Sequence, residues 1–585
     1  MAGRIARPVA VLVLVAAIAA ALFISRRASR HESGAGSNTP PTSDVPSRGG
    51  ELVASYRSEP RTYNRYVDQT AAADLLALLT QAPLVHVNRT TDELEPWLAE
   101  SWTESPDHLT YTLKLRHGIT FSDGVPFTSA DVLFSFRALY DPKVQAVLAA
   151  DTYVNGKPLL VEAPDSSTVV LRLPAPFAPG LRLIANIPIL PRHRLEPALV
   201  AGTFTDAWSA TSPLSEITGL GPFVLAEHVS GQRFVFMRNP RFWSYDGSGV
   251  QLPYLDKLTV IVIPDQNAEA LRLQSGETDL MGNADMRPED YGSFKRVAQQ
   301  GRLRLLDAGI GLDPNLLWFN LSKVHADDPR NAWLRSKIFR QAISCAVDRQ
   351  AIINTVYLGA GVPIYGPISP ANRTWYVGVR PACEYDPGRA RALFASIGLT
   401  DRNADGMLED SHGTPAEFSI LTQRDHLRAR VAAVVQEQLR KAGIRVDLVT
   451  VDPNAIQDRW AHGDYDSIYF GTQASATDPS LTPALWFSSG EFHLWNRLQP
   501  TPATEWERHI DDLMNRIAVS ADAAERRRLF EDVQRIYAEE MPVISFVAPK
   551  AMIAISSRVV NPRPAPQIPQ LLWSAETLAA RAAGR

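Results

Sequence analysis

Asp401-Arg402-Asn403-Ala404-Asp405-Gly406 sets oxygen-bearing side chains at alternate residues and a glycine at the sixth position, as the first half of a calcium loop does. The twelfth position, where such a loop needs a bidentate glutamate, is His412, with Glu409 and Asp410 close by. The same residues make an Asx-rich surface turn between Leu399 and Phe418, and the turn is the expected reading of Asp401, Asn403 and Asp405. Two cysteines, Cys345 and Cys383, are too few for zinc spacing. They either pair in an oxidising compartment or stay free. Cys345 shares an apolar helix face with Phe339, Ile343 and Val347, where a small buried residue fits. The 12 histidines are scattered without the i,i+4 pairing of metal-binding helices. There is no G-x-S-x-G elbow, H-E-x-x-H, P-loop or G-x-G-x-x-G. Carboxylates are plentiful, but sequence alone does not set two of them across a cleft. Neither an enzyme activity nor a cofactor is expected.

The elements that must position any site belong to a long globular chain. Its 585 residues are enough for two to four domains at roughly 150 residues each. The composition, 45% hydrophobic and 21% charged, is that of an ordered protein. Proline is high, 43 where average usage gives about 29, which argues for many extended connections and against a helical bundle. Lys and Arg number 59 against 63 Asp and Glu, and five of the arginines sit before residue 31 with no acid among them. The rest of the chain is therefore acidic. The short basic run Arg526-Arg527-Arg528 lies in a helical pattern and reads as a solvated face, so nucleic acid is not an expected partner.

Met1–Arg7 carries two arginines, and Val9–Ile24 follows with 16 uncharged residues. Residues 1–28 read as an export signal or a short membrane anchor, although the run falls below the roughly 20 residues of a full span. No cysteine follows it, which excludes a lipoprotein-type anchor, and Leu22-Phe23-Ile24 blurs any small-residue cleavage site. An uncleaved anchor is the expected outcome, with the bulk of the chain outside the cytoplasm. Residues 29–50 are rich in Ser, Gly and Pro and read as a flexible tether, with the folded part starting near Glu51.

Tyr111-Thr112-Leu113-Lys114-Leu115 alternates as a half-buried strand does, and Ser122-Asp123-Gly124 is a turn. Thr128 precedes Asp131 by three residues, a capping box. Val132, Phe136 and Leu139 then share a helix face that Asp141-Pro142 ends. Val169, Leu171 and Leu173 make another strand. Two stretches read as β-α-β units: Leu258–Ile263, Asn267–Gln274 and Thr278–Met281, then Phe418–Leu421, Leu427–Ala442 and Ile444–Val451. Each implies a right-handed crossover and a largely parallel, helix-covered sheet. The separation of about 150 residues implies two α/β lobes.

The segment Leu109–Pro142 closely resembles the signature of the family 5 extracytoplasmic solute-binding proteins, the receptors of peptide- and nickel-type ABC importers. Further blocks follow in the family's order: Glu95–Trp102, Gly219–Val224, Arg238–Trp243, Leu271–Asp279, Leu317–Asn320, Phe339–Asn354, Gly361–Pro370, Tyr385–Leu393 and Met541–Phe546. The resemblance spans about residues 50–550. It implies an α/β, two-lobed periplasmic-binding-protein-like fold of type II, in its large cluster, with an extra α+β domain inserted in the first lobe. Lobe I would comprise residues 51–81, 205–307 and 549–585, the extra domain 82–204, and lobe II 308–548. The implied function is capture of a peptide or other small polar solute between closing lobes, and its delivery to the permease subunits of an ABC importer, by a monomer. The alternative is a membrane-tethered sensor or chaperone-like scaffold that is not coupled to transport.

By position in that family, one edge of the ligand site would be Ser58, Glu59 and Arg61. The other would be Tyr469, Gly471, Thr472, Gln473 and Ser475, leading to Asp478. Arg373, Trp375 and Trp486 are further candidates, though both tryptophans are of a type more often found in cores. Peptide-binding relatives carry an Asp four residues before the proline of this loop, paired with the ligand's α-amino group. Here that position is Ser475. Either another acid serves, Asp478 or Glu59, or the ligand has no free amino terminus.

Overall fold

The computed structural model describes residues 46–283, 286–324, 326–379, 383–424, 426–471 and 478–581. The N-terminal export or anchor segment and most of its tether lie outside the described residues. Among the described residues, no helix is long and apolar enough to cross a membrane.

The signature segment folds as its pattern dictates. Thr110–Leu115 is a strand that buries Tyr111, Leu113 and Leu115 on one face. The helix Ser129–Leu139 starts on the Thr128–Asp131 capping box, in which the Thr128 amide donates to Asp131 Oδ2 at 2.9 Å. Asp131 also accepts from the Arg192 amide at 3.1 Å, and Ser135 Oγ accepts from the Leu190 amide at 2.9 Å. The helix is thereby fixed to the start of the next one, Arg192–Ala201. The segment's work is to hold the four-stranded sheet of Ala99–Glu104, Thr110–Leu115, Thr168–Arg172 and Leu160–Asp165, in that order.

A larger, eight-stranded sheet runs in the order Leu303–Ile310, Val547–Ser556, Leu280–Met281, Glu51–Tyr56, Lys257–Val262, Arg233–Arg238, Phe223–Val229, with Gly361–Pro363 added on Val547–Ser556. A five-stranded sheet runs in the order Arg445–Val451, Glu417–Gln423, Ser467–Gly471, Asn315–Phe319, Val543–Ser545. Both β-α-β units are present. Lys257–Val262 and Leu280–Met281 flank Glu51–Tyr56, each parallel to it, and Glu417–Gln423 pairs directly with Arg445–Val451 in parallel. The expectation of largely parallel sheets is corrected, because both are mixed. A crossover helix enforces only its own parallel strands. The hairpin Phe223–Val229/Arg233–Arg238 and the returning strand Val547–Ser556 add antiparallel pairs.

One continuous apolar core joins the eight-stranded and four-stranded sheets, through Leu52, Tyr56 and Leu258 on one side and Leu113, Phe134 and Leu171 on the other. The five-stranded sheet has a core on each face: Leu317 and Phe319 point into one, Leu316 and Trp318 into the other. The chain passes between the two larger sheets at residues 311–314 and at Phe546, and also reaches the eight-stranded sheet through Gly361–Pro363 before returning to the five-stranded one. These passages lie side by side, where the Gly311 amide donates to the Pro549 carbonyl at 2.8 Å.

Two further outcomes bear on the sequence. Cys345 and Cys383 are joined as a disulfide, with their Cα atoms 5.4 Å apart. Arg526 is a correction to the reading of its run as a solvated face: it is buried, while Arg527 and Arg528 are exposed. It lies on the inner face of the helix Ala523–Glu540, where a carboxylate from a distant loop meets it.

Candidate functional site

Among the described residues, a large cavity lies between residues 150–183 and the five-stranded sheet's side of the molecule. Its volume is about 890 Å³, within the range of roughly 300–1,000 Å³ typical of small-ligand sites. One wall comes from Ala150–Asn155 and from Pro176, Phe177 and Leu183. The facing wall takes Trp318 and Phe470 from two neighbouring strands, Trp460 from the helix Pro453–His462, and Phe487 and Phe492 from the loops beyond. The walls touch beside it, where the Ala178 amide donates to the Ala518 carbonyl at 2.7 Å.

Polar groups hold the rings at their edges and over their faces. Trp460 Nε1 donates to the Leu494 carbonyl at 2.8 Å, and the Arg497 guanidinium lies 4.4 Å from the Trp460 ring. Arg428 lies 4.6 Å from the Phe470 ring. Among the described residues, the cavity lining includes no lysine or arginine and a single carboxylate, Asp151. The lining can therefore hold an apolar body by excluding water from it, while Tyr153, Asn155, Gln457, Ser480, Thr482 and Asn515 bring uncharged polar groups to the same walls.

One stretch of wall, residues 480–487, is braced from behind. Asp478 caps the turn Pro479–Leu481, accepting from the Ser480 amide at 3.0 Å. Arg526 Nη2 donates to both Asp478 oxygens, at 2.7 and 2.8 Å, and to Ser480 Oγ at 3.1 Å. The guanidinium also lies 4.9 Å from the Trp375 ring. Trp375 and Trp486 both stand perpendicular to Phe530 in the core, 6% and 2% exposed.

The sequence-selected residues separate into groups. Gly471 lines the cavity, at the end of the strand Ser467–Gly471. Thr472, Gln473 and Ser475 lie outside the described residues. Tyr469 is buried, with its ring 5.8 Å from Phe546. Asp478, Trp375 and Trp486 form the bracing just described, and Trp486 also borders a second, much smaller cavity of about 40 Å³. Arg373 and Ser58 are exposed, as is Arg61, whose amide donates to Asp68 at 2.9 Å. Glu59 accepts from His228 Nε2 at 3.0 Å and from the Gly231 amide at 2.9 Å. Burial would raise its pKa, but those two bonds outweigh it and hold the carboxyl below its ordinary value. Both acids named as substitutes for the residue missing at 475 are thus engaged within the protein. The sequence does not single out the cavity's aromatic walls or Asp151, because they come from stretches more than three hundred residues apart and follow no shared period.

The Asp401–Asp405 stretch is a turn closed on itself. Asp401 Oδ2 accepts from the Gly406 amide at 3.0 Å, Asn403 Oδ1 from the Asp405 amide at 2.9 Å, and Asp405 Oδ1 from the Met407 amide at 2.8 Å. Asn403 Nδ2 donates to Asp405 Oδ2 at 3.1 Å. The side chains cap backbone amides, as an Asx turn requires.

Comparison with known proteins adds lineage to this geometry. Residues 93–493 match the family model described as bacterial extracellular solute-binding proteins, family 5 Middle. The chain is 26% identical over 538 residues to a probable ABC transporter-binding protein of Deinococcus radiodurans, covering 87% of this chain and 89% of that one. It is 26% identical over 561 residues to the oligopeptide-binding protein AppA of Bacillus subtilis, covering 94% and 95%. The structure of that protein in complex with a nonapeptide superposes with a TM-score of 0.70 over 92% of this chain and all of that one, at 24% identity. NikA from Brucella suis in complex with Fe(III)-EDTA gives a TM-score of 0.75 over 91% of this chain and all of that one, at 23% identity. At those identities the two structures establish the two-lobed fold, and nothing finer.

Proposed function

The chain belongs to the bacterial extracellular solute-binding proteins, family 5, and from that premise we propose that it captures a small solute between its two lobes outside the cytoplasm. It then presents the solute to the membrane subunits of an ABC importer, as a monomer and without a catalytic step. The observation that carries this reading is the cavity of about 890 Å³ between residues 150–183 and the five-stranded sheet's side of the molecule. A ring-lined cleft between two bodies, partly open to solvent, gives a receptor a place to hold a ligand largely away from water. The relatives' ligands, a nonapeptide and a metal chelate, bound the class widely; a peptide is the first candidate here.

We divide the molecule into lobe I (51–81, 205–307 and 549–585), the extra domain (82–204) and lobe II (308–548). The continuous core that joins the four- and eight-stranded sheets supports motion of lobe I and the extra domain together. The passages at 311–314 and at Phe546, with Gly361–Pro363 paired beside them, would be the hinge on which lobe II turns. Residues 1–28 would export or anchor the chain. On the lobe II side, Gly471, at the end of the strand Ser467–Gly471, would lie at the ligand edge.

A thermal-unfolding screen of short peptides, oligosaccharides and metal chelates tests the reading. A ligand at one hundred times its Kd adds about 2.7 kcal/mol to the native state, a rise of about 2 °C for a chain of this length. A panel in which no compound raises the midpoint contradicts it.

A further inference from the structure

Arg349 is a buried cation, 3% exposed, that meets no carboxylate within salt-bridge distance among the described residues. Its donors go to neutral groups instead. Nε lies 3.1 Å from the Ile364 carbonyl and 3.0 Å from the Ser545 carbonyl, so one N–H is shared between them. Nη1 donates to the Ser344 carbonyl at 3.0 Å and Nη2 to Ser344 Oγ at 2.8 Å, near the C-terminal end of the helix Lys337–Ala346. The Tyr365 ring lies 4.4 Å from the guanidinium. Burial brings the Arg349 pKa down to about 10, so the group is charged at neutral pH. Taking such a charge out of water is unfavourable, and an apolar side chain of similar volume would serve stability alone as well.

The place of the shared bond gives the reason for it. Ser545 ends a strand of the five-stranded sheet, whereas Ile364 follows directly on Gly361–Pro363, which pairs with the eight-stranded sheet. The two passages are laced together there: the Ile364 amide donates to the Phe546 carbonyl at 3.2 Å, and Ser545 Oγ to the Gly366 carbonyl at 2.6 Å. Rotation of one sheet against the other shears this ribbon, and a donor held between the two carbonyls then loses one of them.

We propose that Arg349 is the positioning residue of the hinge: its guanidinium fastens the ribbon at 361–366 and 545–549 to the helix Lys337–Ala346, and so confines the swing of the lobes to a narrow arc. This deepens the receptor reading and rests on it, since it supplies the axis which that reading needs. A preset arc reduces the ordering that closure on a ligand must impose. Arg340 provides the contrast. It is equally buried and donates to the Met541, Arg335 and Glu540 carbonyls at 2.8, 2.8 and 2.7 Å, none of them in the ribbon.

The test is a spin-label distance measurement on the dialysed full-length protein, kept oxidised so that Cys345 and Cys383 stay paired. Labels go on Leu271→Cys in the helix Gln266–Ser275 and Lys441→Cys in the helix His426–Lys441, both exposed positions. Arg349→Lys, Arg349→Met and Arg340→Lys are compared in that background; lysine keeps the charge without the planar fork. The expected result is a distance distribution about twofold wider in both Arg349 variants and unchanged in Arg340→Lys, although each substitution lowers the unfolding midpoint. Where Arg349→Met fails to fold, Arg349→Lys decides the matter. An unchanged width in Arg349→Lys, or equal widening in Arg340→Lys, overturns the proposal and leaves Arg349 a packing residue. The receptor reading is decided separately: a panel of peptides, oligosaccharides and chelates that moves no midpoint removes that reading, while the distances still decide the hinge.

Discussion

Arg526 Nη2 spans both carboxylate oxygens of Asp478, at 2.7 and 2.8 Å, and so ties the turn that walls the cavity to the helix Ala523–Glu540. Both side chains are nearly out of water, 9% and 8% exposed, and the same guanidinium donates to the Ile517 carbonyl at 2.9 Å. The pair is the means by which residues 480–487 hold their place.

Asp478→Ala should therefore destabilise the protein by about 3–5 kcal/mol, since it leaves a buried guanidinium without its counter-ion. Replacing both partners with apolar residues, Asp478→Leu with Arg526→Met, should recover much of the loss. Urea midpoints check this; a loss below about 1 kcal/mol for Asp478→Ala would place the pair in solvent.

Glu507 sets an acid limit on stability. Burial alone would raise its pKa, but hydrogen bonds from His493, Gln499, Trp495 and Thr504 outweigh burial and bring the carboxyl from 4.5 to about 2. A depressed folded-state pKa stabilises above the unfolded value and loses that contribution as pH falls through the folded one. The group should therefore contribute about 3 kcal/mol at neutral pH, lost between about pH 4.5 and pH 2. Glu507→Gln should lower neutral-pH stability and flatten that acid limb. An unchanged slope in denaturant melts across the window would contradict the assignment.

The disulfide closes a loop with a sequence separation of 38 residues, and joins the helix Lys337–Ala346 to the approach of Pro387–Ser396. Loop-closure entropy for that length gives about 4 kcal/mol. Reduction should lower the unfolding midpoint accordingly, and thiol titration of the denatured, unreduced chain should find no free cysteine. Two free thiols would contradict the pairing.

Gly221 approaches the end of the helix Ala71–Thr80 so closely that a Cβ would overlap the Thr80 backbone, while its amide donates to the Thr80 carbonyl at 3.0 Å. Gly221→Ala should cost about 1–3 kcal/mol or more through forced displacement of that contact. An Ala variant as stable as the parent would show that the approach is looser than described.

Local rules made part of this molecule legible. Alternation at Tyr111–Leu115 and the capping box at Thr128–Asp131 act over a few residues, and both are realised as read. The order of family blocks led to the two-lobed fold. Arg526 was misread because charge runs are judged by their neighbours in sequence, whereas its partner Asp478 lies 48 residues away. Likewise, the sheets were expected to be largely parallel because a crossover helix is visible in sequence and a distant antiparallel return such as Val547–Ser556 is not. The cavity was the least legible part. Phe177, Trp318 and Phe470 have no common spacing, and an aromatic residue on a strand reads as core whichever side it faces.

The central claim is that the cavity between residues 150–183 and the five-stranded sheet's side of the molecule is a ligand site, and native mass spectrometry of the gently purified full-length chain tests it most directly. The account predicts that a population carries extra mass, either a ladder spaced by amino-acid residues or one discrete solute, which is released when Phe470 and Trp460 on the cavity wall are both replaced by serine. Extra mass retained by that variant, or a parent chain that is empty and stays empty after incubation with the peptide, oligosaccharide and chelate panel, would contradict it.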